Sequence, residues 1–256
     1  MSVLVVTGTG TEVGKTVVTA AIAALARSRG QRVAVVKPAQ TGVVDDQPGD
    51  LAEISRLAGV DDVYEHSRFP DPLAPASAAR AANMPAVDLR RSAELIQGLA
   101  DSFDLVLVEG AGGLLVRFDD RPTTLADLAG WLSAPLVLVV HSALGTLNHT
   151  ALTLEAVIHR SLSCLGMVIG SWPSNPDLAE RCNTGDLQAL AGTTPLVGAI
   201  AEGSVDLQPD KFLAMARDGL AASLGGNFDA KAFTESCSMQ APTQDKSTHH
   251  NSEVAR

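Results

Sequence analysis

The sequence predicts a single α/β domain: a mostly parallel β-sheet with helices on both faces. Apolar, β-branched runs recur along the chain with helical patterns between them, the alternation expected of parallel strands joined by crossover helices. The first run leads into a glycine-rich turn and an alanine-rich helix. With 256 residues, 46% of them hydrophobic, the chain can bury one large core. The predicted strands are 3–6, 33–36, 105–108, 136–140 and 165–169.

Helical periodicity fills the regions between these runs, and Pro, Gly and Asp mark loops at 42–50 and 69–76. Loops after the carboxyl ends of strands usually carry the active site in open α/β folds. We expect residues 1–225 to form the domain. Residues 226–256 are polar and weakly periodic, which predicts a disordered tail. The predicted helices are 14–29, 50–58, 88–100, 124–132, 147–160, 177–190 and 209–224.

Composition argues against several classes of function. The 19 Lys and Arg against 29 Asp and Glu leave a formal charge of −10, which disfavours nucleic acid as a partner. The chain has neither an apolar run of membrane-spanning length nor a leader-like N-terminus, so we expect a cytoplasmic protein without a membrane partner. Cys164, Cys182 and Cys237 lack CxxC spacing, which favours free thiols over a zinc site or disulfides.

The segment that follows the first predicted strand has the features of a phosphate-binding loop. Gly14 opens the helix, and its first N–H groups, with Lys15, form a cationic nest for the β- and γ-phosphates of a nucleotide. Thr16 would place its hydroxyl on Mg²⁺. Five residues separate Gly8 from Gly14, one more than in the common GxxxxGK[ST] pattern. The sequence therefore predicts a nucleoside triphosphate and Mg²⁺ on a lengthened loop.

Three further side chains are predicted at the same end of the sheet. Lys37 follows the second strand and precedes Pro38, so it either projects into the crevice or extends to solvent. Glu109 ends the third strand, where a carboxylate can hold Mg²⁺, and residues 110–113 are small enough for backbone N–H groups to approach a ligand. Asp50 opens a helix and is either its N-cap or a second carboxylate for the metal.

Four segments together resemble dethiobiotin synthetase, the ATP-dependent carboxylase that closes the ureido ring in biotin synthesis. They are GTGTEVGKT at 8–16, KPAQTG at 37–42, VEGAGG at 108–113 and LGTLNHTALT at 144–153, and they occur in order within about residues 2–200. Each motif is modest alone, but the lengthened loop combined with the other three is specific. The resemblance implies a single-domain P-loop NTPase fold and a ligase that works as a homodimer.

The family's chemistry, as the resemblance implies it, builds negative charge at each stage. The substrate 7,8-diaminononanoate captures CO₂ as a carbamate, the carbamate attacks the γ-phosphate of ATP or another nucleoside triphosphate, and the second amine closes the ring. Lys15 and Lys37 would be the catalytic cations. The implied Mg²⁺ ligands are Thr16, Asp50 and Glu109.

The resemblance also implies two sets of binding residues. One set contacts the nucleotide and the other contacts the substrate. Within the substrate set, the segment at 144–148 would cover the substrate of the partner subunit, although capping of the first helical turn is an alternative role for Asn148. The implied nucleotide contacts are Glu12, Val13, Gly14, Lys15, Thr16, Val17, Asp50, Glu109, Gly110, Ala111, Gly112, Gly170, Ser171, Gly198, Ala199 and Ile200. The implied substrate contacts are Thr41, Gly112, Gly113, Leu144, Gly145, Leu147 and Asn148.

The chain departs from the family where the base is read. The family commonly has Asn-Asp at the end of the fifth strand, and this chain has Gly170-Ser171. Glycine lacks the side-chain amide, so we expect triphosphate binding with weak or altered base selectivity. Trp172 either stacks on the base or packs into the core. The second base-contacting segment, beginning at Gly198, lacks the family's proline.

Two other classes of protein share parts of this pattern. Chromosome-partitioning ATPases carry a second lysine early in the phosphate loop, where this chain has Gly10, and they tend to present basic surfaces or amphipathic tails. Amidating enzymes of tetrapyrroles normally bring a glutaminase domain with a nucleophilic cysteine, and no cysteine here lies on such a turn. Both alternatives are therefore disfavoured.

Overall fold

The computed structural model describes residues 2–190, 192 and 194–239. Within this part of the chain, seven strands form one parallel sheet and two short strands form a second. The predicted fold class is confirmed. The strands are β1 (Val3–Gly8), β2 (Val33–Lys37), β3 (Gln40–Thr41), β4 (Val63–Glu65), β5 (Arg68–Phe69), β6 (Leu105–Glu109), β7 (Leu136–Val140), β8 (Cys164–Trp172) and β9 (Leu196–Ala201). The large sheet has the order β4-β2-β6-β1-β7-β8-β9, and β3 pairs with β5.

Helices cover both faces of the large sheet. The helices are α1 (Lys15–Ser28), α2 (Asp50–Ala58), α3 (Pro75–Ala81), α4 (Leu89–Ala100), α5 (Leu125–Leu132), α6 (Thr146–His159), α7 (Leu178–Leu190), α8 (Pro209–Gly219) and α9 (Ala230–Met239). Helices α1, α2 and α8 bury apolar side chains on one face, and α3 to α7 do so on the other. Successive residues of β1 alternate between the two cores, with Leu4 and Val6 on one side and Val5 on the other.

The strand order brings the polar strand ends together. Strand β1 lies between β6 and β7, and β2 pairs with the other side of β6. Val6 is in register with Glu109, and Val36 with Val108, so Lys37 and Glu109 leave adjacent strands at the same level. The phosphate loop, residues 8–16, begins where β1 ends, at this same edge of the sheet.

Four elements named below differ from the sequence-based expectation. The edge strands β4 and β9 were not predicted, and both complete the sheet through pairing with distant residues. Helix α3 begins at Pro75, inside the 69–76 segment expected to be a loop; Pro75 occupies the first turn, where a missing N–H costs nothing. Helix α8 ends at Gly219 instead of continuing to residue 224, because Ala221 N donates to the carbonyl of Val197 on β9 (2.8 Å).

The C-terminal region also differs from expectation. Residues 230–239 form α9, and Phe228 and Phe233 pack against the core beside α7. The Phe233 ring meets the Trp172 ring edge-on, with centroids 5.0 Å apart. The prediction that disorder begins at residue 226 is therefore wrong for 226–239, because these aromatic residues bury enough surface to order the segment. The rest of the expected tail, 240–256, lies outside the described residues. None of the described helices has the length and hydropathy needed to span a membrane.

Candidate functional site

The phosphate loop adopts a conformation that exposes the N-terminus of α1. Glu12 and Gly14 have positive φ angles of 60° and 92°, and Gly14 caps α1 without a side-chain hydrogen bond. The first N–H groups of the helix are therefore available to an anion. Lys15 is buried, and its Nζ donates to the carbonyl of Gly10 across the loop (2.7 Å). This arrangement is a concave, cationic nest of the kind that binds phosphates.

Lys37 lies in a buried cluster beside this loop. Its Nζ donates to Glu109 Oε1 (2.7 Å) and also contacts Asp50 Oδ2. The Lys37 and Glu109 side chains are 3% and 1% exposed, whereas Asp50 is 37% exposed. Thr16 Oγ1 donates to the same Glu109 oxygen (3.0 Å). Lys37 therefore does not extend to solvent, and Asp50 is not the N-cap of α2, a position that Gly49 occupies.

The two lysines have opposite electrostatic environments. Burial lowers the pKa of Lys15 to about 8; the Glu109 and Asp50 carboxylates oppose this shift and the Lys37 charge adds to it. Burial also disfavours the charged form of Lys37, but Glu109 and Asp50 outweigh it and raise the pKa of Lys37 above its ordinary value. The surroundings therefore stabilise the charged form of Lys37 and destabilise that of Lys15.

Gln40 orients Asp50 and was not identified from the sequence. The Gln40 side chain is 4% exposed, and its Oε1 accepts from the backbone N–H of Asp50 (2.9 Å). It also donates to the carbonyl of Thr41 (3.2 Å). A buried amide with both ends bonded fixes where α2 begins relative to β3. Its place in the KPAQTG segment was the only available signal.

A cavity of about 790 Å³ opens over this cluster. Its lining also includes the apolar side chains of Pro72, Leu73, Pro75 and Val116; the first three belong to the 69–76 loop that the sequence indicated, and Val116 was not predicted. The sequence-predicted residues that line the cavity are Glu12, Gly14, Lys15, Thr16, Val17, Lys37, Thr41, Asp50, Glu109, Gly110, Ala111 and Gly112. The structure therefore brings together the phosphate loop, both lysines and the expected metal ligands around one space.

Other predicted residues lie outside that cavity. Val13 and Ile200 are 2% and 1% exposed and belong to the core, so only their backbones could meet a ligand. Gly113 lies behind the loop, next to the carbonyl of Gly8. The segment at the start of α6 is on the surface, with Leu144 88% exposed. The remaining members outside the cavity lining are Gly145, Leu147, Asn148, Gly170, Ser171, Gly198 and Ala199.

The structure explains why residue 170 is a glycine. A Cβ placed on Gly170 would lie 1.9 Å from the carbonyl oxygen of Val13, and one on Gly14 would lie 2.5 Å from the carbonyl oxygen of Gly170. The lengthened phosphate loop thus rests directly on the end of β8, and the asparagine expected from the resemblance has no room there. Trp172, two residues further on, packs against Phe233, which favours the packing interpretation over base stacking.

The oxygen atoms of this cluster suit a hard divalent cation. Glu109 Oε2 is buried and has no hydrogen-bond partner among the described residues, although Oε1 has two. An unpartnered buried carboxylate oxygen is costly unless a cation completes its environment. Hydroxyl and carboxylate oxygens such as those of Thr16, Asp50 and Glu109 are ligands that Mg²⁺ prefers. The donor set therefore fits the predicted metal.

Comparison with known proteins places this site in a family. Residues 2–204 match the family described as AAA domain. ATP-dependent dethiobiotin synthetase BioD of Frankia casuarinae is 58% identical over 233 residues, which cover 91% of this chain and 98% of the relative. The enzymes of the same name from Streptomyces avermitilis and Rhodococcus jostii are each 56% identical, covering 91% and 84% of this chain and 98% and 93% of those relatives. The chain belongs to the dethiobiotin synthetase family. The family recognised from the four sequence motifs is confirmed.

Solved structures similar to this chain share its fold. The septum site-determining protein MinD of Pyrococcus horikoshii, solved with Mg-ADP, has a TM-score of 0.54 at 18% identity, covering 93% of this chain and 95% of that one. A MinC:MinD complex of Aquifex aeolicus gives 0.52 at 13% identity, with 90% and 98% covered. At these identities the likeness shows the P-loop NTPase fold alone. It does not favour a positioning ATPase over the dethiobiotin synthetase family.

Proposed function

We propose that this protein is an ATP-dependent dethiobiotin synthetase, a cyclo-ligase of biotin biosynthesis. The observation that carries the proposal is the buried Lys37 cation, which lies with Glu109 beside an anion-binding loop in one cavity. A reaction that builds negative charge on a carbamate and a phosphoryl group needs fixed cations more than a strong base. The high identity to named dethiobiotin synthetases supports the same assignment.

The proposed reaction takes three steps. One amine of 7,8-diaminononanoate adds to CO₂ and loses a proton, giving a carbamate. A carbamate oxygen then attacks the γ-phosphorus of ATP and ADP leaves, which forms a carbamic-phosphoric anhydride. The second amine attacks the carbamoyl carbon and loses a proton, phosphate leaves, and the ureido ring is closed. In this scheme Lys15 and the N-terminus of α1 hold the transferring phosphoryl group, Lys37 stabilises the carbamate, and Thr41 hydrogen-bonds the diamine.

We assign Mg²⁺ to Thr16, Asp50 and Glu109. When bound, the cation would neutralise charge on the phosphate oxygens of the nucleotide. The same carboxylates hold Lys37 in this structure, so we expect Lys37 to exchange these partners for the carbamate as substrates bind.

We propose that the active unit is a homodimer, located in the cytoplasm where ATP is available. The start of α6 supports this: Leu144 is 88% exposed, and the N-cap residue of the helix, Gly145, provides no side-chain hydrogen bond. In the proposed arrangement Leu144, Gly145, Leu147 and Asn148 cover the substrate of the other subunit. The free N–H groups of a helix N-terminus suit the substrate's carboxylate.

We also propose that the nucleotide is selected through its phosphates more than through its base. At position 170 the loop excludes any side chain, so the amide expected to read a base is absent. Gly198, Ala199 and Ile200 would contribute only backbone or small apolar contacts beside Ser171.

Phosphate release from the purified protein tests the proposed function. The assay contains Mg²⁺-ATP and bicarbonate, with and without 7,8-diaminononanoate, and is repeated with CTP and GTP. Release that depends on the diamine is expected, with similar KM values for the nucleotides. Release that ignores the diamine would refute the ligase assignment, and a strong preference for adenine would refute weak base selection alone.

A further inference from the structure

Side chains of helix α7 form hydrogen bonds with the loop between β7 and α6. Asn183 Nδ2 donates to the carbonyls of Ser142 (2.7 Å) and Ala143 (3.2 Å). Glu180 Oε1 accepts from the hydroxyl of Ser142 (2.9 Å). Asn183 and Ser142 are each only 6% exposed. Two side chains of one helix therefore determine where the carbonyls of residues 142 and 143 point.

Glu180 is itself fixed by the first turn of α7. Its backbone N–H donates to Asp177 Oδ1, and its Oε2 accepts from the backbone N–H of Asp177, both at 2.8 Å. This reciprocal pair leaves Oε1 free to face Ser142. Further along the helix, Gln188 donates to the carbonyl of Ala230 (3.0 Å) and to Thr234 Oγ1 (2.7 Å), which anchors α7 to α9.

The loop between β7 and α6 ends at the solvent-exposed residues Leu144 and Gly145, just before α6. The carbonyl of Ala143 also accepts from the backbone N–H of Thr146 (3.2 Å), the first residue of α6. Gly145 turns with a φ of 97°, and Leu144 projects almost fully into solvent. Any shift of residues 142 and 143 would therefore reorient the N-terminus of α6.

Asn183 would be an unfavourable residue at this position if its only role were packing. Asparagine is a poor residue for a helix interior, and burying its amide costs free energy unless every polar atom is bonded. An apolar side chain would fill the same space without that cost. Its Nδ2 instead donates to two consecutive carbonyls, which specifies one geometry of the backbone that it holds.

We propose that Asn183 and Glu180 are positioning residues for the diamine substrate. They hold the α6 N-terminus in the orientation in which its N–H groups receive the substrate's carboxylate in the other subunit. This inference rests on the proposed function, and it adds a specificity element in α7 that lies outside the catalytic cavity.

Steady-state kinetics of Asn183→Leu test the proposal, with Gln188→Leu as the matched control. Both substitutions remove a bonded side-chain amide from α7, but only the first touches the loop. Loss of two hydrogen bonds should raise the KM for 7,8-diaminononanoate about tenfold or more in Asn183→Leu. The kcat and the KM for the nucleotide should stay within about twofold of wild type. An unchanged diamine KM, or an equal rise in Gln188→Leu, would overturn the proposal.

A substrate analogue separates positioning from a general loss of structure. The probe is 2,3-diaminooctane, which keeps the two vicinal amines and lacks the carboxylate, measured as a competitive inhibitor. Its Ki should be the same for wild type and Asn183→Leu. An analogue that binds wild type as tightly as the substrate, or that loses affinity in the variant as the substrate does, contradicts the proposal. If the analogue does not compete measurably with the substrate on wild type, the carboxylate contributes to binding. The comparison of diamine KM values between wild type and the variants then decides whether Asn183 is a positioning residue.

Ser142→Ala keeps the proposal testable if Asn183→Leu does not fold. It removes only the hydroxyl that bonds Glu180, and it should raise the diamine KM in the same direction by a smaller factor. An unchanged diamine KM in this variant would then count against the proposal. Failure of the proposed function is recognised separately, because wild-type protein would then show no diamine-dependent phosphate release at all.

Discussion

Lys37 carries a charge that the folded protein cannot easily lose. Its ammonium group is enclosed with Glu109, which is almost fully buried, and with Asp50 at the edge of the cavity. Removing one member of a buried ion pair leaves the other charge uncompensated, so a substitution here affects stability as well as chemistry. The two effects must therefore be measured separately.

Lys37→Ala should reduce turnover about 100-fold or more, because it removes a fixed cation from the developing charge. It should also lower the free energy of unfolding by about 3 kcal/mol, because the Glu109 carboxylate is left buried without its partner. Discontinuous assays of phosphate release measure the loss of turnover, and urea unfolding measures the loss of stability.

The double variant Lys37→Ala with Glu109→Gln is the control for the second effect. It should recover most of the stability and none of the activity, since the uncompensated charge is gone. Added Mg²⁺ should raise the melting temperature of Lys37→Ala more than that of wild type. Near-normal turnover of Lys37→Ala would disprove its catalytic role.

The lowered pKa of Lys15 predicts that nucleotide affinity depends on pH. In the free protein its pKa is lowered to about 8, and bound phosphates would raise it, because an adjacent anion favours the charged form. Affinity should therefore be complete below about pH 8 and should weaken as the pH rises above that value, about tenfold by pH 9. Nucleotide Kd values between about pH 6.5 and pH 9.5 measure this. Lys15→Arg keeps its charge throughout and should show no such trend; constant affinity in wild type would contradict the assignment.

At the scale of elements, the phosphate loop and β8 approach too closely for a side chain. Gly170→Ala should destabilise the protein by about 1 to 3 kcal/mol and weaken nucleotide binding, because its Cβ would displace the Val13 carbonyl. Gly10→Ala is the matched control for stability, since a Cβ at Gly10 meets no atom within 4 Å. Urea unfolding compares them, and equal stability of the two variants would show that the close approach is not maintained in solution.

Helix α9 is attached through aromatic packing instead of ion pairs. Phe233 meets Trp172 at 5.0 Å and Phe228 at 5.2 Å between ring centroids. Phe233→Ala should lower the free energy of unfolding by about 2 kcal/mol, because a partly buried aromatic surface is lost. Lys231→Ala, on the exposed side of the same helix, should have no measurable effect. If both variants unfold alike, α9 does not contribute to the stability of the domain.

At the scale of the whole molecule, α6 presents apolar side chains that no described element covers. Leu144, Leu152 and Ile158 are 88%, 58% and 75% exposed. Isolated exposed apolar residues are common, but several on one helix and its preceding loop indicate a contact surface. This surface is the natural place for the proposed two-fold interface.

Leu152→Glu should convert a dimer into a monomer, because it places a charge among these exposed apolar side chains. Sedimentation velocity measures the change. Diamine-dependent turnover should fall while nucleotide binding is retained, since the phosphate loop belongs to one subunit. Leu95→Glu, an exposed position on α4, is the control and should remain dimeric. A monomeric wild type, or a dimeric and fully active Leu152→Glu, would refute the shared site.

Local patterns were enough to predict much of this protein. The apolar runs predicted β1, β2, β6, β7 and β8, because buried parallel strands are continuously β-branched over several residues. The spacing around Lys15 and Thr16 indicated the phosphate loop, since a strand, a glycine turn and a helix N-terminus are consecutive in sequence. Lys37 and Glu109 were predicted at one edge because the carboxyl ends of parallel strands meet there.

The sequence by itself therefore determined the fold class, the phosphate loop and the identity of the charged strand-end residues, because each depends on neighbours within a few positions. Only the tertiary structure decided which partners these residues have. The enclosure of Lys37 by Glu109 and Asp50, the orienting role of Gln40, the edge strands β4 and β9, and the packing of α9 all depend on residues far apart in the chain. Gly170 is the clearest case: its missing side chain reads locally as a lost contact, whereas in the folded protein the Val13 carbonyl already occupies that space.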